Sequence, residues 1–211
     1  YKEFSMKLTI FGATGNTGSE LVKQALEKGH QVTAFVRDPS RLTIKHDQLS
    51  LVTGDVFDPE SVAGAVQGQD VVICALGSRD LKKTTIRSMG TTNIIKAMKE
   101  HSVQRLLVVS SMGTGDSWNT LSLVNKLFYA TLLKSSREDH EAQESVVRES
   151  GLAWTIVRPS GLTNEPRTGI YDVGEKISGK TSRIARADVA DLIIKELEQN
   201  ALIDKAVTIT N

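Results

Sequence analysis

Between residues 8 and 18 the chain runs through Leu8, Thr9, Ile10 and Phe11, places glycines at 12, 15 and 18, and enters an amphipathic stretch from Glu20 to Lys28. A short apolar run, a glycine turn and a helix start, in that order, constrain the fold more than any other feature. They open a strand–turn–helix unit that brings bare backbone N–H groups up to a pyrophosphate, with the positive end of the helix behind them. A dinucleotide is the expected ligand. Gly12 is expected to permit the sharp turn, Gly15 the close approach of the cofactor, and Gly18 the packing of helix on sheet. Thr14, Asn16 and Thr17 lie between them and offer hydroxyl and amide donors to the phosphates. Glycines this close also occur in plain turns, so the context matters: Leu21, Val22, Ala25 and Leu26 share one helical face, and the helix stops at Gly29.

Strand-like and helix-like segments alternate from there on. Strands are expected at 30–36, 49–53, 70–75, 105–110, 154–158 and 205–210. Helices are expected from Pro59 (capped by Asp58) through Val66, and over 91–101, 138–150 and 188–199. Such alternation, with connections long enough for right-handed crossovers, predicts an α/β fold: a single-domain, Rossmann-like, doubly wound and mostly parallel sheet with helices on both faces. Ligands bind at the carboxyl ends of such strands. Six small or polar clusters fall there and are expected to converge on one cleft: 12–18, 37–41, 54–55, 76–78, 110–112 and 159–161.

Composition narrows the partners. With 26 basic and 25 acidic residues scattered along 211 positions, the chain gives no reason to expect nucleic acid or a membrane surface. The single cysteine, Cys74, excludes an internal disulfide and a multi-cysteine metal site, and no metal is expected. Its apolar neighbours mark it as an inert core thiol, in keeping with a reducing cytoplasm. No apolar run is long enough to span a membrane. Residues 1–7 lack a signal-peptide core, and 1–5 read as added sequence ahead of a natural start at Met6, giving one domain over 6–211. No coiled-coil seam is present, so a monomer is expected.

Position 37, at the end of the second strand, decides which dinucleotide. An NAD site usually carries an acidic residue there to accept from the ribose 2′-OH. Here Arg37 offers a planar fork to a 2′-phosphate and Arg41 can close from the other side, which favours NADP(H). The alternative is that Arg37 pairs with Asp38 and that Asp38 holds a 2′-OH, favouring NAD.

The stretches 10–18, 32–42, 54–56, 68–73, 76–79, 148–152 and 168–171 together resemble the atypical short-chain dehydrogenase/reductase group, and within it the NmrA-like biliverdin IXβ reductase/flavin reductase family. The resemblance runs from about Lys7 to the end. It implies that Asp55 accepts from the adenine amino group, although an Asp after a strand is also a turn stabiliser. It further implies that Val56 packs on that ring, that Ala75, Leu76 and Gly77 line the ribose and nicotinamide, and that Ser111 lies by the nicotinamide as the candidate catalytic residue. The histidine that related reductases carry after two prolines is missing, since Pro159 is followed here by Ser160.

Typical short-chain dehydrogenases use a Tyr-x-x-x-Lys pair as the acid. Tyr129 has Lys134 five positions on, and Tyr171 has Glu175 at the lysine position, so the pair is lacking. A conjugated acceptor that spreads the incoming charge needs no such acid. The expected partner is therefore a small planar molecule, a flavin or a bilin. Met112, Trp118, Ser160 and Arg167 are the candidate substrate-binding residues. Phe128 is expected in the core, with Arg79 as a further cation over the cleft. His140, in a polar helix, reads as solvated or structural. A non-catalytic NADP(H) sensor or assembly factor is the alternative function.

Overall fold

The computed structural model describes residues 5–78, 84–115, 134–177 and 183–211. Its elements are β1 (Lys7–Phe11), α1 (Asn16–Glu27), β2 (Gln31–Val36), β3 (Leu49–Thr53), α2 (Pro59–Val66), β4 (Val71–Cys74), α3 (Ile86–Glu100) and β5 (Arg105–Val109), then α4 (Lys134–Arg148), β6 (Ala153–Pro159), β7 (Gly161–Thr163), β8 (Asp172–Gly174), β9 (Arg183–Ala185), α5 (Arg186–Gln199) and β10 (Lys205–Thr210). The main sheet has the order β3-β2-β1-β4-β5-β6-β10-β8 and is parallel except at β8, which runs antiparallel to β10. The expected Rossmann-like, doubly wound architecture is therefore the one the chain adopts.

Alternation along the buried strands divides the core. Leu8 and Ile10 of β1, with Leu107 and Val109 of β5, face α1 and α5, where they meet Leu21, Val22 and Ile193. Phe11, Leu106 and Val108 face the other way and pack with Ile94, Met98 and Val147 of α3 and α4. A period-two strand buried on both faces has this consequence. Thr9, wholly buried on the second face, is tolerated because its hydroxyl donates to the Ala65 carbonyl at 2.6 Å.

Three findings go beyond the sequence reading. α3 begins at Ile86 rather than 91, and the short strands β7, β8 and β9 were not foreseen. Three residues are too few for a hydrophobic period to register. The polar helix α4 buries Asp139, His140, Gln143 and Glu144, so His140 is not solvated. These groups are buried as partners of others: the Arg158 guanidinium donates to Glu144 at 2.9 and 2.6 Å, and Ser110 Oγ donates to the same carboxylate at 2.7 Å. On the opposite face of the sheet Arg105 pairs with Glu196 at 2.9 Å.

Candidate functional site: a two-ended cleft at the strand termini

β1 and β4 are adjacent while their onward chains wind to opposite sides, which opens a crevice at their carboxyl ends. A cleft of about 970 Å³ lies there, large for a single small-molecule pocket. Five of the six expected clusters contribute to it, and Gly54–Asp55 does not; the following Val56 and Phe57 line it instead.

One end is made of loop backbone. Gly12 has φ +80°, and a Cβ there would run into the Ala75 carbonyl, so only glycine lets the turn lie against the end of β4. A Cβ on Gly18 would meet the Gly12 carbonyl, which is the close helix-to-turn packing expected of it. Gly15, the N-cap of α1, brings no side chain to cap the first turn, and that turn holds no acidic residue. Its free N–H groups and dipole end are thus open to an anion. Thr14, Asn16 and Thr17 line the same end, with Ala75, Leu76, Gly77 and Val56 beside them.

Arg37 and Arg41 both line the cleft and are exposed. Asp38 is engaged elsewhere: its carboxylate accepts from Ser40 Oγ at 2.6 Å and from Ser40 N at 3.0 Å, and those bonds hold its pKa below the usual value. Among the described residues no ion pair joins Asp38 to Arg37. Asp55 is exposed, does not line the cleft, and accepts from the Phe57 N–H at 3.0 Å as a turn stabiliser would.

The other end is lined by side chains from distant segments: Ser110 and Ser111 after β5, Ser160 to Leu162 after β6, Arg87 of α3, His140 of α4 and Arg186 of α5. Ser111 is half-buried and its hydroxyl donates to the Met112 carbonyl at 3.2 Å. Ser160 is buried and shares a hydrogen bond with Thr210 Oγ1 at 3.1 Å. Met112 does not line the cleft. Arg167 does not either: it donates to Gln24 Oε1 at 3.2 Å and lies 3.7 Å from Glu27, holding its loop onto α1. Trp118, Arg79, Phe128 and Tyr129 fall outside the described residues. Tyr171 also lies away from the cleft. Burial and then Asp191, to which its hydroxyl donates at 2.8 Å, raise its pKa, the opposite of what an acid catalyst needs.

Sequence reasoning missed Arg87, His140 and Arg186. A signal was present for two of them. His140, Gln143, Glu144 and Val147 recur at the spacing of one buried helical face, as do Arg87, Gly90, Thr91 and Ile94. Polar residues at core positions point to a built polar site. Burial, and next the Arg87 charge, push the His140 pKa down to about 3, so the imidazole is neutral.

A fold of this order with an uncapped glycine turn at its switch point defines a dinucleotide-binding protein. A family model described as NAD(P)H-binding matches residues 12–200, and the chain belongs to that family. An uncharacterised chloroplastic protein of Arabidopsis thaliana is 32% identical over 217 residues, covering 96% of this chain and 76% of that protein. An anaerobilin reductase of Escherichia coli O157:H7 superposes with a TM-score of 0.81 at 25% identity, over 96% of each chain. A candidate NADH-flavin reductase of Streptococcus pneumoniae does so with a TM-score of 0.81 at 25% identity, over 98% of this chain and 99% of that one. The expected place among NmrA-like, atypical short-chain dehydrogenase/reductase proteins holds. No described helix is long and apolar enough to cross a membrane.

Proposed function

We propose that the protein is an NADPH-dependent reductase that delivers hydride to a flavin, FMN or riboflavin, or to a linear tetrapyrrole such as biliverdin. One observation carries the reading: the described residues lining the cleft include four arginines, at 37, 41, 87 and 186, and no Asp, Glu, Tyr or Lys. In a chain of net charge +1 this concentrates positive charge where a phosphate-rich cofactor and an anionic acceptor would meet. Among the described residues, the acceptor end also has no tyrosine–lysine acid of the kind a simple carbonyl requires.

The residues divide the work. The N–H groups of the 12–18 turn and the start of α1 hold the pyrophosphate, while Arg37 and Arg41 take the 2′-phosphate of NADP. Asp38 is occupied by Ser40 and does not compete for a ribose hydroxyl. When bound, the cofactor supplies a hydride from its nicotinamide. Leu76, Gly77 and Ser111 flank that region, with Ser160 and Leu162 as the acceptor-side wall. Their contribution is orientation and exclusion of water. Arg186, held by Asn164 Oδ1 at 2.7 Å, replaces Arg167 as the cation for a propionate or flavin phosphate.

Steady-state oxidation of NADPH with FMN and with biliverdin, using NADH as control donor, tests the proposal. Turnover with NADPH well above NADH supports it. Saturable NADPH binding with no turnover would favour the non-catalytic sensor.

A further inference from the structure

The acceptor end of the cleft holds two polar side chains more than nine-tenths buried, each with an atom that lacks a hydrogen-bond partner: Arg87 Nε and His140 Nδ1. Such atoms are rare in folded proteins because burying them unpaired is costly. Here two occur, and both residues line the same cleft.

Asp139 explains how they are held. Its carboxylate accepts from Arg87 N at 3.1 Å, Ser88 N at 3.0 Å and Ser88 Oγ at 2.7 Å, which pins the start of α3 to α4. The Arg87 guanidinium reaches it only through Nη1, at 3.4 Å. Asp139 is therefore spent mainly on backbone and hydroxyl donors, and most of the guanidinium fork is left over. Nη2 lies on the Gly77 side, where a Cβ would come within 3.8 Å of it. His140 follows Asp139 on α4, lines the same cleft as Arg87 and lies near enough to feel its charge.

We infer that Arg87 and His140 form a buried subsite for one oxygen of the acceptor, an oxygen conjugated to the atom that receives the hydride. This rests on the reductase reading and says where the charge goes. The acceptor gains a hydride, one proton with two electrons, as the C4–H bond of the dihydronicotinamide breaks, and the nicotinamide is left oxidised. The surplus negative charge spreads to the conjugated oxygen, where the guanidinium stabilises it in a site of low dielectric. A proton from solvent then neutralises the acceptor. A flavin ring carbonyl and a bilin lactam oxygen both have this chemistry. A neutral imidazole suits the place, since it contributes a hydrogen-bonding group without a second buried charge.

The test compares oxidised FMN with two-electron-reduced FMN, held at mildly alkaline pH where the reduced flavin ring is an anion, for binding to the NADP⁺-loaded protein under anaerobic conditions. Wild type, Arg87→Met, Arg87→Lys and His140→Gln are measured. Because Asp139 keeps its three bonds from the α3 backbone and Ser88, Arg87→Met retains the anchor of that helix. Wild type should bind the anionic reduced FMN about tenfold more tightly than oxidised FMN, as charge-assisted hydrogen bonding implies. The preference should vanish in Arg87→Met, survive in part in Arg87→Lys, and fall by roughly threefold in His140→Gln. NADP⁺ affinity should stay within about twofold throughout. No preference in wild type, an undiminished preference in Arg87→Met, or a loss of affinity that falls on NADP⁺ instead would overturn the subsite. NADPH oxidation is scored separately: if it is absent while the reduced-form preference is intact, the reductase reading fails and the subsite stands.

Discussion

The two ends of the cleft are built in opposite ways. At the cofactor end a single run of residues, 12–18, presents backbone to the cleft, and two exposed arginines just past the next strand complete it. At the acceptor end no two of Arg87, Ser111, His140, Ser160 and Arg186 belong to the same segment, and the deepest of them are buried. A ligand common to many proteins can be held by local backbone geometry. An acceptor particular to one protein has to be read by side chains that only the tertiary fold brings together.

If the acceptor end depends on buried charge pairs, breaking one should cost more than any change at the exposed end. Arg158→Met leaves the buried Glu144, which accepts from Ser110, with only the more distant Arg148, at 3.6 Å, as a cation among the described residues. Thermal and denaturant unfolding should show a loss of about 3–5 kcal/mol, and a loss below about 1 kcal/mol would erase the contrast. Arg37→Ala acts at the exposed end and should leave stability unchanged while weakening NADPH binding by about 10–100-fold, with NADH within roughly twofold. Equal losses for the two dinucleotides would remove the 2′-phosphate assignment.

Acid sharpens the comparison further. In the unfolded chain His140 takes up a proton near its ordinary value of 6.5, but in the folded protein only near 3. The unfolded state thus binds more protons between those values, so stability is fully present above about pH 6.5 and declines as pH falls toward about 3. The slope approaches roughly 1.4 kcal/mol per pH unit for one such group. His140→Gln should flatten it. Burial also lowers the pKa of His30, and hydrogen bonds from Ser40 lower that of Asp38, so both contribute to the slope that remains. An unaltered slope would mean that His140 is not held neutral. The smallest effect is expected from Arg167→Ala, whose side chain is 45% exposed and bonded to α1. Stability should change by less than about 1 kcal/mol, and the KM for FMN should not move. A raised KM would return Arg167 to the substrate side.

The same contrast governs what was legible in the sequence. Gly12, Gly15 and Gly18 announce the cofactor end because their spacing is local, and strand–helix alternation with Gly and Pro stops marked the succession of the main elements and the parallel, doubly wound class. Asp58 capping α2 through the Glu60 N–H at 3.2 Å was readable for the same reason. The acceptor end was not. Arg167 looked like a substrate cation because sequence shows its charge but not that Glu27 and Gln24 stand beside it. His140 and Arg87 were hidden because helical periodicity marks a buried face and cannot say whether that face meets the core or a cleft.

The measurement that bears most directly on a two-ended site is anaerobic mixing of NADPH-loaded protein with FMN in a single turnover, following nicotinamide oxidation and flavin bleaching together. Hydride passing from one end of the cleft to the other predicts that both signals decay at one rate, saturating with FMN, with equal amounts of each consumed. Bound NADPH that stays reduced in the presence of FMN, and then of biliverdin, would contradict the account and leave a cleft that holds the cofactor without using it.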